Sequence, residues 1–318
     1  MARSCSPRGK RLKYLNTCLI GDCRESMKRL LESNLKVQMC VTSPPYFGLR
    51  DYGVKGQLGL EPTVDKYVDN LVGVFRMVRE LLTYDGTLWL NLGDSYAANR
   101  SYQVPDGKWV DVGNSKPSSV PSGLKSKDLI GIPWRVAFAL QADGWYLRQD
   151  IIWHKPNPMP ESVTDRCTKA HEYLFLLAKS ERYYYDAAAI AEPAVNGGGK
   201  AGYAGYSARA GAMGREPSGN EKPGMVVVNG DDRNRRSVWT VATQPYSEAH
   251  FATFPRALIE PCILAGSRMG DTVLDPFFGS GTTGQVAQDL GRNWIGCELN
   301  PDYVAMQERR TAQQAMAL

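Results

Sequence analysis

A glycine-rich turn between a strand-like and a helix-like segment is the feature that most constrains the fold of this 318-residue chain. The segment Val273–Gly284 reads VLDPFFGSGTTG, so a short apolar run leads into glycines at 279, 281 and 284 and then into a helical pattern. A strand, a glycine turn and a helix in this order let the backbone approach a ligand closely and direct the helix N-terminus at polar ligand groups. Such a unit is typical of sheets with parallel strands.

Strand-like and helix-like segments alternate along most of the chain, which indicates strands connected by crossover helices. The predicted strands are Tyr14 to Ile20, Val37 to Thr42, Thr87 to Leu92, Tyr146 to Trp153, Tyr173 to Ala178, Thr272 to Leu274 and Asn293 to Cys297. The predicted helices are Glu25 to Glu32, Val64 to Leu82, Pro133 to Ala142, Pro255 to Ala265 and Gly284 to Leu290. The pattern predicts an α/β fold in which a mostly parallel central sheet carries helices on both faces.

Two stretches interrupt this alternation. Residues 97–128 are rich in Ser, Pro, Gly, Asn and Lys, and residues 187–237 are rich in Gly and basic side chains. A loop of this length inside a compact domain is usually functional or disordered. A solvated surface insertion is the alternative interpretation of both stretches.

The composition is that of an ordinary globular protein, with 43% hydrophobic and 22% charged residues. No membrane span is expected, because the apolar runs are much shorter than the roughly 20 residues that a membrane helix needs. Seven scattered cysteines without a Cys-x-x-Cys pair fit a reducing cytoplasm, and three distant histidines predict no metal site. The net charge of +5 permits a polyanionic partner without requiring one.

Two acidic residues accompany the glycine turn. Glu298 follows the next predicted strand, where a carboxylate can accept hydrogen bonds from ribose hydroxyls, as a nicotinamide or an adenosyl cofactor would require. Asp275 and Phe277 at the head of the turn argue against a dinucleotide, because a carboxylate repels a pyrophosphate and suits the ammonium group of an amino acid. The structural alternative is that the glycines only connect a strand to a helix.

The sequence Ser43-Pro44-Pro45-Tyr46 follows the predicted strand that ends at Thr42. Two prolines hold the backbone extended and remove two N–H donors, which leaves carbonyl oxygens as acceptors in a rigid frame. The Ser43 hydroxyl and the Pro44 carbonyl can both accept hydrogen bonds from an exocyclic amino group, and Tyr46 offers a ring for a flipped base. A proline-rich turn without chemistry is the alternative.

The two motifs together indicate methyl transfer to an amine. An exocyclic amine conjugated to a base is a poor nucleophile, and two acceptors can draw its nitrogen toward tetrahedral geometry and align its lone pair. A sulfonium methyl group is already activated by the positive sulfur, so positioning and electrostatics supply most of the catalysis.

The chain closely resembles the amino-methyltransferases that modify DNA, in the permuted order in which the catalytic half precedes the cofactor half. The resemblance rests on SPPY at 43–46, DPFFGSGTT at 275–283, HFATFP at 250–255, GCELNP at 296–301, Gly21-Asp22, and the segments 152–157 and 171–173. It implies a Rossmann-like methyltransferase fold, S-adenosylmethionine as cofactor, and Ser43, Pro44, Pro45 and Tyr46 as the catalytic residues. The cofactor-binding residues that it implies are Asp22, Phe251, Thr253, Phe254, Asp275, Phe277, Gly279, Gly281, Thr282 and Glu298.

The resemblance also divides the chain and implies its partners. The division is a basic N-terminal tail at 1–13, a catalytic half at 14–186, a target-recognition insertion at 187–237 and a cofactor half at 238–318. Duplex DNA with one flipped base is the implied substrate, and a homodimer and a cognate restriction endonuclease are further partners that it allows. The implied DNA contacts are Lys155 and, within the insertion, Arg233, Arg235 and Arg236, which can read guanine edges or hold phosphates.

The residue before Pro-Pro bears on the target base. Ser in this place is typical of the cytosine-N4 enzymes of the family, whereas Asp or Asn is usual in the adenine-N6 enzymes, so Ser43 favours cytosine N4. Adenine N6, methylation of RNA or of a free base, and an inactive DNA-binding protein of the same fold stay open. Pro261-Cys262 resembles the nucleophile dipeptide of methyltransferases that act on a cytosine ring carbon, but an apolar helical pattern surrounds Cys262 and predicts core packing.

Overall fold

A computed structural model describes most of the chain outside the two interrupting stretches. The described residues are 13–97, 101–103, 109–111, 123–194, 232–244 and 254–312. Most of the predicted recognition insertion, residues 195–231, therefore lies outside them, as do 98–100, 104–108 and 112–122 of the 97–128 loop and the predicted tail up to residue 12.

A central sheet of eight strands organises the described part of the chain. In chain order the strands are β1 (Thr17–Ile20), β2 (Val37–Thr42), β3 (Leu82–Leu92), β4 (Ser101–Gln103), β5 (Trp109–Asp111), β6 (Tyr146–His154), β7 (His171–Ala178), β8 (Glu192–Pro193), β9 (Asp232–Arg233), β10 (Val238–Thr240), β11 (Thr272–Asp275) and β12 (Asn293–Glu298). The sheet order is β1-β12-β11-β2-β3-β7-β6-β10, while β4 with β5 and β8 with β9 form two small antiparallel ribbons. Within the sheet, β7 runs antiparallel to both neighbours and the other pairs are parallel.

Six α-helices connect these strands in the described ranges. They are α1 (Cys23–Glu32), α2 (Val64–Leu81), α3 (Ile132–Ala142), α4 (Arg256–Gly266), α5 (Thr282–Asp289) and α6 (Val304–Ala312). Several begin at a residue that satisfies free backbone N–H groups: Asp22 accepts from Arg24 N at 2.8 Å, and Thr63 accepts from Lys66 N at 3.2 Å. These caps help to set where the two helices begin.

The sheet divides the core into two layers. On one face, α1, α2 and α3 bury residues such as Leu30 and Leu71 against the sheet. On the other face, α4 and α5 bury Ile259 and Val286 against Met39 and Trp89. Burial of apolar area in two layers is the main stabilising contribution in such a fold, and the helices on both faces confirm the predicted architecture.

The predicted elements are confirmed with small shifts at their ends. The prediction for β2 has the observed bounds, whereas β3 starts at Leu82 rather than at Thr87 and β12 runs on to Glu298. The last helix, α6, and five strands of two or three residues were not predicted, namely β4, β5, β8, β9 and β10. Among the described residues, no helix combines the length and the hydrophobicity needed to cross a membrane.

Candidate active site

One edge of the sheet collects the residues that the sequence singled out. Four adjacent parallel strands, β1, β12, β11 and β2, end there with Asp22, Glu298, Asp275 and Ser43 beside one another. Because β7 runs antiparallel, its first residues reach the same edge, and this places Glu172 near the end of β3. Ligands of open α/β sheets bind outside the carboxyl ends of the strands, so this edge is the candidate site.

Asp275 connects the two motifs, which lie more than 200 positions apart in the chain. Its carboxylate accepts hydrogen bonds from Thr42 Oγ1 and Thr283 Oγ1, both at 2.6 Å, and from Phe277 N at 3.0 Å. The side chain is 1% exposed, and this burial raises its pKa to about 6 against the three hydrogen bonds, which favour the ionised form. The glycine turn and the serine-proline turn are therefore held together by one buried carboxyl.

Glu298 is the last residue of the neighbouring strand, β12, and its hydrogen bonds hold the glycine turn. It accepts hydrogen bonds from Gly279 N at 2.7 Å and from Asn300 N at 2.8 Å. Burial raises the pKa of the Glu298 carboxyl, and these N–H groups oppose the rise. The two hydrogen bonds occupy one lone pair on each oxygen, so the carboxylate keeps acceptor capacity for a ligand.

The three glycines of the turn have two different tasks. Gly279 and Gly281 have φ angles of 51° and 87°, in the left-handed region that glycine adopts without strain. Gly284 instead makes room for Phe278, because a Cβ there would lie 2.6 Å from Phe278 Cζ. Phe278 stacks on Trp294 with ring centroids 4.9 Å apart, so this part of the turn is core packing and not a ligand contact.

The serine-proline turn at 43–46 is fixed from two sides. Tyr67 donates its hydroxyl proton to Pro45 O at 2.8 Å, and the Tyr46 ring packs so closely on Gly93 that a Cβ there would lie 2.5 Å from Tyr46 Cε2. Ser43 Oγ lies 3.5 Å from Tyr46 Oη. The turn is thus a rigid frame, as its two prolines predict.

A polar network surrounds the Tyr46 hydroxyl. Tyr46 donates to Glu172 Oε2 at 2.7 Å, and Asn91 Nδ2 donates to the same oxygen at 3.2 Å. The second carboxylate oxygen, Glu172 Oε1, forms a short ion pair with Lys155 Nζ. Burial and the Glu172 charge raise the pKa of Tyr46 well above its usual value, so the phenol stays protonated.

Other predicted cofactor residues have definite places. Asp22 at the head of α1 accepts from Arg24 N and pairs with its guanidinium, and this hydrogen bonding lowers the pKa of the Asp22 carboxyl. Thr282 lies 5% exposed at the start of α5, where its hydroxyl accepts from Arg310. Phe277 and Phe254 are half-buried, and Phe251 and Thr253 lie outside the described residues.

The predicted DNA contacts are engaged within the protein. Arg233 and Arg236 both donate to Glu192 Oε1, at 2.9 and 2.6 Å, at the ribbon of β8 and β9 from which the undescribed segment 195–231 departs. The Arg235 guanidinium lies 4.6 Å from the centroid of the Trp239 ring. Lys155 faces Glu172 and lies 4.3 Å above the Trp153 ring.

Sequence reasoning missed three members of the site, Thr42, Asn91 and Glu172. Their partners are distant in sequence, so spacing carries no signal of contact. The available signals were that Thr42 and Asn91 lie at the ends of predicted strands, and that Glu172 lies in the segment 171–173 that carries part of the resemblance. Cys262 is 0% exposed and donates to Leu258 O at 3.3 Å, which confirms its predicted place in the core. Among the described residues, no group of three His, Cys, Asp or Glu side chains is arranged to hold a metal ion.

The sequence matches a known protein family along most of its length. A family model described as DNA methylase, covering the N6 and N4 methyltransferases, matches residues 37–309. The chain belongs to the N6/N4 DNA methylase family. It is 49% identical over 289 residues to the type II methyltransferase M.Cfr9I of Citrobacter freundii, covering 91% of this chain and 85% of that protein. Identity to the type II methyltransferase M.SmaI of Serratia marcescens is also 49%, covering 93% and 91%.

Solved structures share the fold of this DNA methylase. The cytosine-N4-specific PvuII DNA methyltransferase superposes with a TM-score of 0.60 at 20% identity, covering 92% of this chain and 85% of that one. The M1.HpyAVI complex with S-adenosylmethionine gives a TM-score of 0.54 at 18% identity, covering 93% and 98%. The fold is therefore the Rossmann-like one of S-adenosylmethionine-dependent methyltransferases.

As a member of this family, the chain is a DNA methyltransferase with S-adenosylmethionine as its cofactor. The sheet edge suits that ligand. Glu298 and Asp275 present negative charge toward a cationic ligand, and a Cβ added at Gly279 would meet only Phe277 O, at 4.0 Å, within the described chain. Space and charge are thus both suited to a bound sulfonium compound.

Proposed function

We propose that the DNA methylase transfers the methyl group to the exocyclic N4 of a cytosine that is flipped out of duplex DNA. The observation that carries the proposal is the hydrogen bond between Thr42 and Asp275, which places the serine-proline turn against the glycine turn. An amine at Ser43 and a methyl donor over Asp275 would then be neighbours. Ser43 is the residue type that favours cytosine at this place.

The chemistry assigned to the turn follows from its acceptors. Ser43 Oγ and Pro44 O receive the two protons of the amino group, and the Tyr46 ring, pressed against Gly93, is the surface on which the base stacks. Two acceptors on one amine draw electron density to the nitrogen and leave its lone pair directed at the methyl group. S-adenosylmethionine supplies the activated methyl, so the protein contributes position and charge.

The cofactor contacts are assigned by chemistry. Glu298 is the acceptor for the ribose hydroxyls, and Asp275 attracts the ammonium group through its charge. Asp22, Phe254 and Phe277 border the adenine side, and Phe251 and Thr253, outside the described residues, are assigned to the cofactor by the resemblance alone. Gly279 and Gly281 shape the turn. Thr282 is assigned to the same task, because its hydroxyl accepts a hydrogen bond from Arg310.

The DNA contacts and partners belong to the same proposal. Residues 187–237 recognise the target, and Lys155, Arg233, Arg235 and Arg236 lie where the duplex approaches. Arg233 and Arg236 would have to leave Glu192 to contact DNA, whereas their present role is to hold the ribbon. Since the relatives are type II methyltransferases, a cognate restriction endonuclease is the expected companion, in the cytoplasm, and a homodimer is the assembly to test.

Nucleoside analysis tests the target base. The protein methylates a plasmid with isotopically labelled S-adenosylmethionine, the DNA is digested to nucleosides, and mass spectrometry separates labelled N4-methylcytosine, N6-methyladenine and C5-methylcytosine. Ser43→Ala serves as the low-activity control. Labelled N4-methylcytosine is expected, and labelled N6-methyladenine instead would overturn the proposal. Sequencing of the methylated plasmid then yields the target sequence for kinetic work.

A further inference from the structure

The hydrogen bonds around Glu172 have a direction that bears on Ser43. Glu172 accepts from three donors, namely Tyr46 Oη, Asn91 Nδ2 and Lys155 Nζ. Its side chain is 15% exposed and that of Lys155 is 18% exposed, so the carboxylate and the ammonium group neutralise each other inside the site. An ionised carboxylate has no proton to give, and every hydrogen bond to it must therefore run toward it.

The Tyr46 hydroxyl has one proton, which it donates to Glu172. Tyr46 Oη lies 2.7 Å from Glu172 Oε2 and 3.2 Å from Asn91 Oδ1, and the charge-assisted bond to the carboxylate is the stronger one. With its proton committed to Glu172, the phenol oxygen can only accept from its remaining neighbour. That neighbour is Ser43 Oγ, at 3.5 Å.

A serine hydroxyl that donates to Tyr46 keeps its lone pairs free on the other side. The distance of 3.5 Å is long for a hydrogen bond, and catalytic hydrogen bonds are often long in ligand-free enzymes and shorten in the reacting complex. If Ser43 instead donated to the target amine, its proton would compete for the nitrogen lone pair that must attack the methyl group. The direction of this bond therefore matters for the rate.

We propose that Glu172 is a positioning residue that acts through the Tyr46 hydroxyl to turn the Ser43 hydroxyl, so that the Ser43 oxygen accepts from the target amino group. The inference rests on the proposed function only in placing that amine at Ser43. Lys155 has a supporting task, because its ammonium group pairs with Glu172 Oε1 at a nearly buried position and leaves Oε2 to accept from Tyr46.

Three variants of this chain test the direction of coupling. Tyr46→Phe removes the hydroxyl, and Glu172→Gln replaces a pure acceptor by an amide that can also donate to Tyr46. The rate of methyl transfer is measured in a single turnover on duplex DNA, with the dissociation constant of S-adenosylmethionine measured in parallel. Each single variant is expected to lower the rate about tenfold, and the dissociation constant is expected to stay within about twofold of wild type.

The double variant Tyr46→Phe/Glu172→Gln decides the matter. If Glu172 acts through the Tyr46 hydroxyl, its substitution has no further effect once that hydroxyl is gone, so the double variant matches Tyr46→Phe within about twofold. A loss of about a hundredfold, the product of the two single effects, would overturn the inference. An unchanged rate in Glu172→Gln would overturn it as well.

Control variants separate positioning from folding and from the identity of the base. Tyr84→Phe and Glu181→Gln make the same chemical changes at exposed positions near the opposite edge of the sheet, and wild-type rates are expected. If Glu172→Gln alone is unstable because it leaves Lys155 unpaired, Lys155→Met/Glu172→Gln removes both charges and replaces it in the cycle. Rates are then measured at saturating DNA, so that loss of the proposed DNA contact of Lys155 does not enter them. Labelled N6-methyladenine from the wild type would refute the cytosine proposal and leave this comparison of rates intact.

Discussion

Burial and hydrogen bonding act in opposite directions on the Asp275 carboxyl. Because the pKa of Asp275 is raised to about 6, its carboxyl becomes protonated at a mildly acidic pH in the ligand-free protein. Because this pKa lies above the ordinary value of 3.8, the Asp275 carboxyl stabilises the folded state most at a pH below 3.8. This contribution is lost as the pH rises through about 6. Above that pH the site holds a buried negative charge that a cationic ligand can neutralise.

Cofactor affinity should therefore depend on pH through Asp275. We expect the dissociation constant of S-adenosylmethionine to rise as the pH falls below about 6, because a protonated carboxyl no longer attracts the ammonium group. Isothermal titration calorimetry between pH 5 and 8 would measure it. Asp275→Asn, titrated in the same buffers to account for the ionisation of the ligand, should bind more weakly at pH 8 and lose the slope; an unaltered slope would show that another group titrates.

Ser43 should matter for the reaction and not for cofactor binding. Thr42 and not Ser43 donates to Asp275, so Ser43→Ala leaves the bonds of Asp275 intact. We expect turnover to fall by about a hundredfold, since one of two acceptors for the amine is removed, while the cofactor dissociation constant stays within about twofold. Single-turnover kinetics and calorimetry would measure the two effects, and loss of cofactor binding would contradict the assignment of separate roles.

At the scale of elements, the predictable part of the fold is the part with strong periodicity. The strand β2 is buried along all six residues, and its mostly apolar, β-branched sequence VQMCVT locates both of its ends. The antiparallel direction of β7 and the existence of β10 could not be predicted, because a strand pattern has no direction and three residues have no period. Glu172 was missed as a site residue for the same reason, since it reaches the active edge only because β7 is reversed.

The packing between the glycine turn and β12 is a further property of elements. Phe278 occupies the space above Gly296, where a Cβ would lie 2.4 Å from Phe278 Cγ. Gly296→Ala should lower the free energy of unfolding by about 1–3 kcal/mol, because neither the strand backbone nor the stacked ring can yield easily. Gly73→Ala in α2 is the matched control: a Cβ there meets nothing within 4 Å, and the change should stabilise the protein by about 0.5–1 kcal/mol. Urea denaturation would measure the free energy of unfolding of both variants. If Gly296→Ala were as stable as Gly73→Ala, the Phe278 ring would have moved aside.

At the scale of the whole molecule, strands that are far apart in the sequence lie side by side in one sheet. The proposed catalytic half supplies β1, β2, β3, β6 and β7 and the proposed cofactor half supplies β10, β11 and β12, yet all of these strands belong to one sheet. Strands of the two proposed halves pair at three places in the sheet, β1 with β12, β2 with β11 and β6 with β10, and the hydrogen bond between Thr42 and Asp275 reinforces the middle one.

The two halves should therefore unfold together. We expect hydrogen exchange in peptides from β6 and from β12, near opposite sides of the sheet, to lose protection at the same urea concentration, because the shared sheet couples them. Free cofactor at a hundred times its dissociation constant should raise the free energy of unfolding by about 2.7 kcal/mol, as measured by the peptides of both strands. If the β6 peptides exchanged at lower urea, or gained no protection from the cofactor, the catalytic half would be a separate folding unit, and the bond between Thr42 and Asp275 would join two domains rather than one.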